Sequence, residues 1–298
     1  MAAQAIKTFP PFQKIRKHLP KARAYTLCTV FAIFFIFPFL WMVLGSFKPD
    51  WDILTIPPKL FPQEWTGANY PSLFARIPLL RMYFNSFFVT AVLVFFQTGT
   101  SAVLGFVLCK YEFPGKNAFF LFILSTMMVP FFVLMVPLFQ LIVQFGWGDS
   151  FAGLIYPALF NSFGIFLLRQ FSTSIPDELL DAARIDGASE PYIFVRIALP
   201  LLAPAISALA IFVFIAQWGS YLWPLIVITK SDLRTLPLGL ALLNFTAQGN
   251  IAVKIPGASA FGTLLAGNVL AVIPVLIVFF FLQRRITEGI ALTGMGGH

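Results

Sequence analysis

Charge is scarce in this chain, and it is missing altogether from long stretches. Only 20 Lys and Arg and 12 Asp and Glu occur among 298 residues, or 11% charged, where soluble domains carry about 25%. Six stretches, 25–47, 83–109, 118–143, 151–168, 201–228 and 262–283, contain no Asp, Glu, Lys, Arg or His. Proton-driven carriers, intramembrane hydrolases and charge-selective filters place ionisable groups at membrane depth, so their absence argues against all three. The two histidines are His18 and His298, near the ends of the chain. The two cysteines, Cys28 and Cys109, sit in apolar runs without metal-ligand spacing and read as small buried hydrophobes, so no metal site is expected. The single Gly-Lys pair, Gly115-Lys116, is followed by Asn117 and has Lys110 where a phosphate-cradling loop needs glycine, so no ATP site is expected either. No residue is assigned a catalytic role, and the chain is not expected to be an enzyme.

What fills the sequence instead is hydrocarbon. Hydrophobic residues make up 59%, with 37 Phe and a mean hydropathy of +0.86, which makes a bilayer the expected solvent. Each uncharged run is long enough to cross about 30 Å as a helix rising about 1.5 Å per residue. The expected fold is an all-α membrane protein of six transmembrane helices, the fourth, at 18 residues, continuing a turn at either end. Connections on one side carry 13 Lys and Arg and those on the other 7. Both termini and the loop 169–200 should therefore face the cytoplasm, in an inner-membrane, multi-pass arrangement. Six of the basic residues lie in the first 24, which hold no acid; they read as a topology signal, and nucleic-acid binding is not expected. The 23-residue first run exceeds a signal-peptide core and is expected to stay as a helix. The organisation is thus a cytoplasmic segment 1–24, a membrane domain 25–283 and a cytoplasmic tail 284–298.

The loop 169–200 breaks the pattern, with eight charges in 32 residues. Each would cost about 2.5 to 3.5 kcal/mol at a helix centre in lipid, so the loop belongs in water or against a partner. Pro176, Asp177 and Glu178 form a helix start and Gly187 its stop. Leu179, Ala182, Ala183 and Asp186 share a face. A second short helix is expected from Ser189 through Tyr192, Phe194 and Ile197 before Leu199-Pro200 leads into the fifth run. Helices this short are marginal alone and need something to pack on.

Prolines at positions 38, 130, 137, 157, 204, 224 and 274 fall within or near the runs and imply kinked, mutually packed helices, because lipid cannot replace a lost backbone bond. Uncharged polar residues at Asn85, Gln97, Gln140, Asn161, Gln217 and Asn268, with Trp218, Tyr221 and Trp223, are candidates to line a pathway. Interhelical hydrogen bonds explain any one of them equally well. As a set, uncharged amides beside aromatics suit a neutral, hydroxyl-rich solute better than an ion, and Asn161, Gln217, Trp218, Tyr221, Trp223 and Asn268 are the candidates for the substrate pathway.

The stretch DAARIDGASEPYIFVRIALP, residues 181–200, resembles the cytoplasmic loop of ABC importer permeases, whose pattern is Glu-Ala-Ala, three residues, Gly, nine residues, Ile-x-Leu-Pro. Ala182, Ala183, Gly187, Ile197, Leu199 and Pro200 match; Asp181 stands for the usual Glu. FPFLWMVLGSFKP, YFNSFFVT, KYEFPGKN, FGIFLLRQF and the tail EGIALTGMGG resemble the carbohydrate-type permeases related to the second membrane subunit of the maltose transporter, so the likeness spans nearly the whole chain. Gly219 and Ser220 depart from it, standing where such sequences often carry Asn and an acid.

The resemblance implies that Asp181, Ala182, Ala183, Gly187, Ile197, Leu199 and Pro200 dock into a separate ATPase subunit. That partner, not this chain, uses ATP and Mg. It further implies two ATPase copies, a second and different permease subunit, an extracytoplasmic solute-binding protein meeting the outer segments 48–82 and 229–261, and a tail, 293–297, that reaches the ATPases. The cargo implied is an oligosaccharide or related neutral solute. Glycerol phosphates, carried by related permeases, are the nearest alternative. A self-sufficient facilitator or secondary carrier, and a scaffold without a pathway, are the readings from other classes.

Overall fold

Backbone amides in hydrocarbon find partners only within helices, and every regular element among the described residues is helical. The computed structural model describes residues 12–247 and 256–294, and side chains over 24–244 and 256–281. In chain order the helices are α1 (Phe12–Gly45), α2 (Asp50–Ile53), α3 (Asn69–Arg76), α4 (Leu79–Lys110), α5 (Lys116–Met127), α6 (Phe131–Gln144), α7 (Phe151–Ile155), α8 (Ser162–Ser172), α9 (Asp177–Ile185), α10 (Glu190–Ile193), α11 (Leu199–Trp218), α12 (Leu222–Val227), α13 (Leu236–Ala247) and α14 (Ala260–Gly294).

Four of the expected spans are continuous helices: 24–45 within α1, α4, the stretch 190–218 ending in α11, and 260–281 within α14. The other two are bent. Helices α5 and α6 meet at 100°, and α7 with the short turn after it meets α8 at 40°. Pro130 stands at the first break: it has no N–H to donate, and its extended backbone starts α6 afresh. At the second, Asn161 leaves the helix and caps α8, its side chain accepting from the Gly164 N–H at 2.9 Å.

Two boundaries differ from expectation. No gap separates the short helix after Ser189 from the fifth run: residues 190–218 run on through a π-helical turn, Phe194–Ala198, and Pro200 sits in the first turn of α11. The wider turn accommodates the missing proline donor. The fifth run also does not reach Ile228 as one helix, because α11 stops at Trp218 and the chain restarts as α12 after Gly219 and Ser220.

Helices α4, α8 and α11 form the centre of the bundle, with α14 against α11, α3 and α13. Ala102, Leu168, Ala205, Leu209 and Val213 fill the space between the central three. Gly105 permits the tightest approach: a β carbon there would lie 2.7 Å from the Arg169 backbone nitrogen and 2.9 Å from the Leu168 carbonyl carbon. By contrast α1 exposes Phe31, Phe34, Phe35 and Ile36 along its length, a surface suited to hydrocarbon.

At the end of the bundle where α4 begins, polar groups fasten the connections. Asn69, fully buried, donates to the Ser46 and Lys48 carbonyls and accepts from the Ser259 N–H at 2.7 Å. Asp50 accepts from the Ala260 and Phe261 amides at the start of α14, an anion at the positive end of a helix dipole.

Candidate functional site

Two sites stand out, one at each level of the bundle. At the end where α4 finishes, α9 lies across the helix termini. Its apolar anchor is Leu180, 1% exposed, packed with Phe106, Ile175, Ile193, Ala198 and Leu202; burying such a side chain stabilises by about 1.5 to 3 kcal/mol. Asp177 and Glu178 occupy the first turn and Arg184 the last, matching the helix dipole. Gly187 closes α9 with φ of +80°, where its own N–H reaches the Arg184 carbonyl and the Ala188 N–H reaches Ala183. A β carbon there would meet nothing, so the backbone conformation, not space, is what calls for glycine.

Ions hold α9 in place. Lys110, the last residue of α4, contacts Asp177 at 2.7 Å and also donates to the Ile175 carbonyl. Arg184 contacts Asp181 at 2.7 Å and Glu190 at 2.9 Å, and Glu190 in turn accepts from the Tyr111 hydroxyl. The Glu190 and Asp181 carboxylates raise the Arg184 guanidinium further above its already high value, while burial, then Glu190, raises the Tyr111 phenol. With Leu180 turned inward, Ala182 faces out, Ala183 is half-buried, and Leu179 and Ile185 project beside them, Ile185 being 87% exposed. Of the remaining expected loop residues, Asp181 is exposed and ion-paired, Ile197 and Leu199 pack against the clusters around Phe106 and Leu168, and Pro200 is exposed on the first turn of α11. Lys110, Tyr111 and Glu190 were not singled out from sequence; charges placed just beyond an apolar run were the available signal.

The second site is a cavity of about 640 Å³ in the membrane-spanning part, within the size range of small-molecule sites. All three helix breaks open onto it. Val129 and Phe131 come from the α5–α6 bend, Phe160 and Asn161 from the α7–α8 bend, Gln217 and Ser220 from the α11–α12 break. The fourth wall is one face of α4, with Ser86, Val89, Thr90, Leu93 and Gln97 at helical spacing. Irregular backbone at membrane depth is tolerated where it lines such a space. Among the described residues no ionisable side chain lines it.

A polar belt crosses the cavity. Gln97, 3% exposed, donates to the Ala158 carbonyl and accepts from Asn161 at 2.9 Å. Facing it, Trp223 presents its ring edge-on to Phe131 and donates from Nε1 to the Gly153 carbonyl at 3.0 Å. The structure therefore brings Asn161, Gln217 and Trp223 together on the cavity wall. It places the other three sequence candidates elsewhere. Trp218 stacks on Phe214 and donates to the Ala271 carbonyl at 2.9 Å, joining α11 to α14; Tyr221 is 48% exposed at the start of α12; Asn268 lies on α14, outside the lining. Of the others, Asn85 clamps the Asp232 and Arg234 carbonyls and Gln140 is exposed on α6. Sequence reading passed over Ser86, Thr90, Ser220 and Thr235, although Ser86, Thr90 and Gln97 already share a helical face. Of the expected tail contact 293–297, only the first two residues lie within the described range.

Comparison with known proteins sets this geometry in context. Residues 101–291 match the family described as binding-protein-dependent transport system inner membrane component. The chain is 37% identical to the arabinooligosaccharides transport system permease protein AraQ of Halalkalibacterium halodurans, over 88% of this chain and 91% of that one. It is 32% identical to the sn-glycerol-3-phosphate transport system permease protein UgpE of Agrobacterium fabrum, over 91% and 95%. Among solved structures, a bacterial ABC transporter involved in import of the acidic polysaccharide alginate contains a chain of the same fold, with a TM-score of 0.77 at 22% identity, over 94% of this chain and 99% of that one.

Proposed function

The chain belongs to the binding-protein-dependent transport system inner membrane components, and from that premise we propose that it forms half of the translocation pathway for a neutral carbohydrate in an ATP-driven importer. The observation that carries the cargo reading is the cavity: hydroxyls, amides, Trp223 and Phe131 around it, and no charge among the described lining residues. Neutral sugars offer hydroxyls to the first set and C–H faces to the aromatic pair. A phosphate ester needs a cation, commonly Arg, to replace its water, and that requirement favours the arabinooligosaccharide relative over the glycerol-phosphate one as a guide. The alginate importer, whose cargo is acidic, guides the fold alone.

In this reading α9 is the docking helix for a separate ATPase. Ala182, Ala183, Ile185 and Leu179 form its contact face, and Asp181, Gly187, Ile197, Leu199 and Pro200 set its shape and exit. The ATPase binds ATP and Mg; this chain transmits movement and performs no chemistry. One chain supplies one docking helix, so a second, related permease serves the second ATPase copy. A solute-binding protein meets the opposite end, and the excess of Lys and Arg on the α9 side supports a cytoplasmic position for α9 and both termini. The segments 1–24, 25–283 and 284–298 then act as inner arm, membrane domain and inner tail.

Isolation of the chain in mild detergent with its associated subunits, followed by reconstitution in liposomes, tests this. Co-isolation of an ATPase chain and ATP-dependent uptake of a neutral oligosaccharide are expected. Solute flux through the chain alone would instead establish a self-sufficient carrier.

A further inference from the structure

One buried hydroxyl on the cavity wall is left without a partner. Thr235, 4% exposed, lines the cavity just before α13, and its Oγ1 makes no hydrogen bond within the protein. Two further hydroxyls lie on the same wall: Thr90, 1% exposed, and Ser86, 3% exposed. Ser86 Oγ accepts from the Leu236 N–H at 2.7 Å, which orients it and leaves its own proton to donate. That same bond fixes the backbone beside Thr235. A buried hydroxyl lacking a partner is unfavourable unless something occasionally supplies one.

Resting on the carbohydrate reading above, we propose that Thr235, with Ser86 and Thr90, forms a hydroxyl-recognition subsite in this chain, at which Thr235 selects a neutral sugar by pairing with one of its hydroxyl groups. The amides of the polar belt are already engaged with one another and with the Ala158 carbonyl, so they present less free capacity than the hydroxyl group. A hydroxyl both donates and accepts, which fits a sugar hydroxyl and confers no preference for charge. Sites of this kind discriminate against an analogue that lacks the matching group.

The assembled importer, purified in detergent without nucleotide, is titrated with arabinotriose and with glycerol 3-phosphate while tryptophan fluorescence is followed, since Trp223 borders the cavity. Thr235→Val is expected to weaken arabinotriose binding about tenfold, Thr235→Ser to retain it, and Thr235→Val to be no less heat-stable than wild type, because valine removes an unpartnered polar atom. Equal affinity in wild type and Thr235→Val overturns the subsite while leaving the import reading intact. A wild-type complex that binds glycerol 3-phosphate and no sugar overturns the carbohydrate reading and the subsite with it. Should Thr235→Val fail to assemble, Thr90→Val is read by the same two criteria.

Discussion

Lys110 Nζ lies 2.7 Å from Asp177 Oδ1, tying the last residue of α4 to the first turn of α9. The lysine is largely buried and the aspartate largely exposed, so the bond lies at the rim of the bundle. Lys110→Ala should leave α9 anchored by Leu180 but looser, since the Ile175 carbonyl loses its donor too. Stimulation of ATP hydrolysis by solute in the reconstituted importer is expected to fall about fivefold, the scale of roughly 1 kcal/mol, with membrane insertion unchanged. Unaltered stimulation would show that this tie transmits nothing.

Gly187 offers a sharper test, because the space around it is empty and only its φ of +80° is demanding. A β-branched residue in that conformation is disfavoured by about 1 to 2 kcal/mol, whereas Asn tolerates it. Gly187→Val should therefore uncouple ATP hydrolysis from transport through strain, Gly187→Asp should do so through its added charge, and Gly187→Asn should come closest to wild type. Hydrolysis and uptake measured side by side check the order.

Trp218 and Trp223 are five positions apart and face different neighbours. Trp218→Phe removes the donor to Ala271 between α11 and α14, so it should lower the thermal stability of the purified complex and leave sugar affinity alone. Trp223→Phe removes a cavity wall as well as the bond to Gly153 and should lower both. Paired melting and binding curves separate the two.

Asp149 clasps the turn before α7 to the strand of chain after α12, accepting from the Thr229 hydroxyl and from the Thr229 and Lys230 amides. Those bonds, the Thr229 hydroxyl foremost, hold its carboxyl below the usual carboxylate range. A lowered folded-state value means the clasp contributes above the ordinary carboxylate pKa of about 3.9 and is lost as pH falls through the lower folded value. Spin labels on Gly148→Cys and Ser231→Cys should report a constant distance from about pH 7 down through the ordinary carboxylate value of about 3.9, and separation only as pH falls further, through the lower folded-state value. Adding Asp149→Asn should give the wider distribution at every pH.

The apolar runs were legible because helix length in lipid is set by bilayer thickness alone, and α1, α4 and α14 fall where uncharged residues are continuous. The acidic start and glycine stop of α9 were legible for the same local reason. The breaks were harder. Pro130 marked one, but Pro137, Pro204 and Pro274 all lie inside unbroken helices, so proline by itself does not say which helix ends. At Phe160 and Asn161 two contributions meet: the Asn161 cap of α8 is local, whereas the Gln97 bond to the Ala158 carbonyl comes from another helix and has no local signature. The separation of Trp218 from Trp223 follows from the stop at Gly219, which turns two neighbours in sequence toward different helices.

The β carbon absent at Gly105 decides which parts travel together. With backbones in contact at Leu168 and Arg169, α4 and α8 have little room to slide at the level of Gly105, and α9 follows α8 after a few residues. A rod of 32 residues is about 48 Å long, so a tilt of about 10° imposed near Lys110 carries the far end by about 8 Å. In the docking reading, displacement delivered to α9 is thereby carried along α4 to its far end, where Arg81 pairs with Asp232 at 3.4 Å.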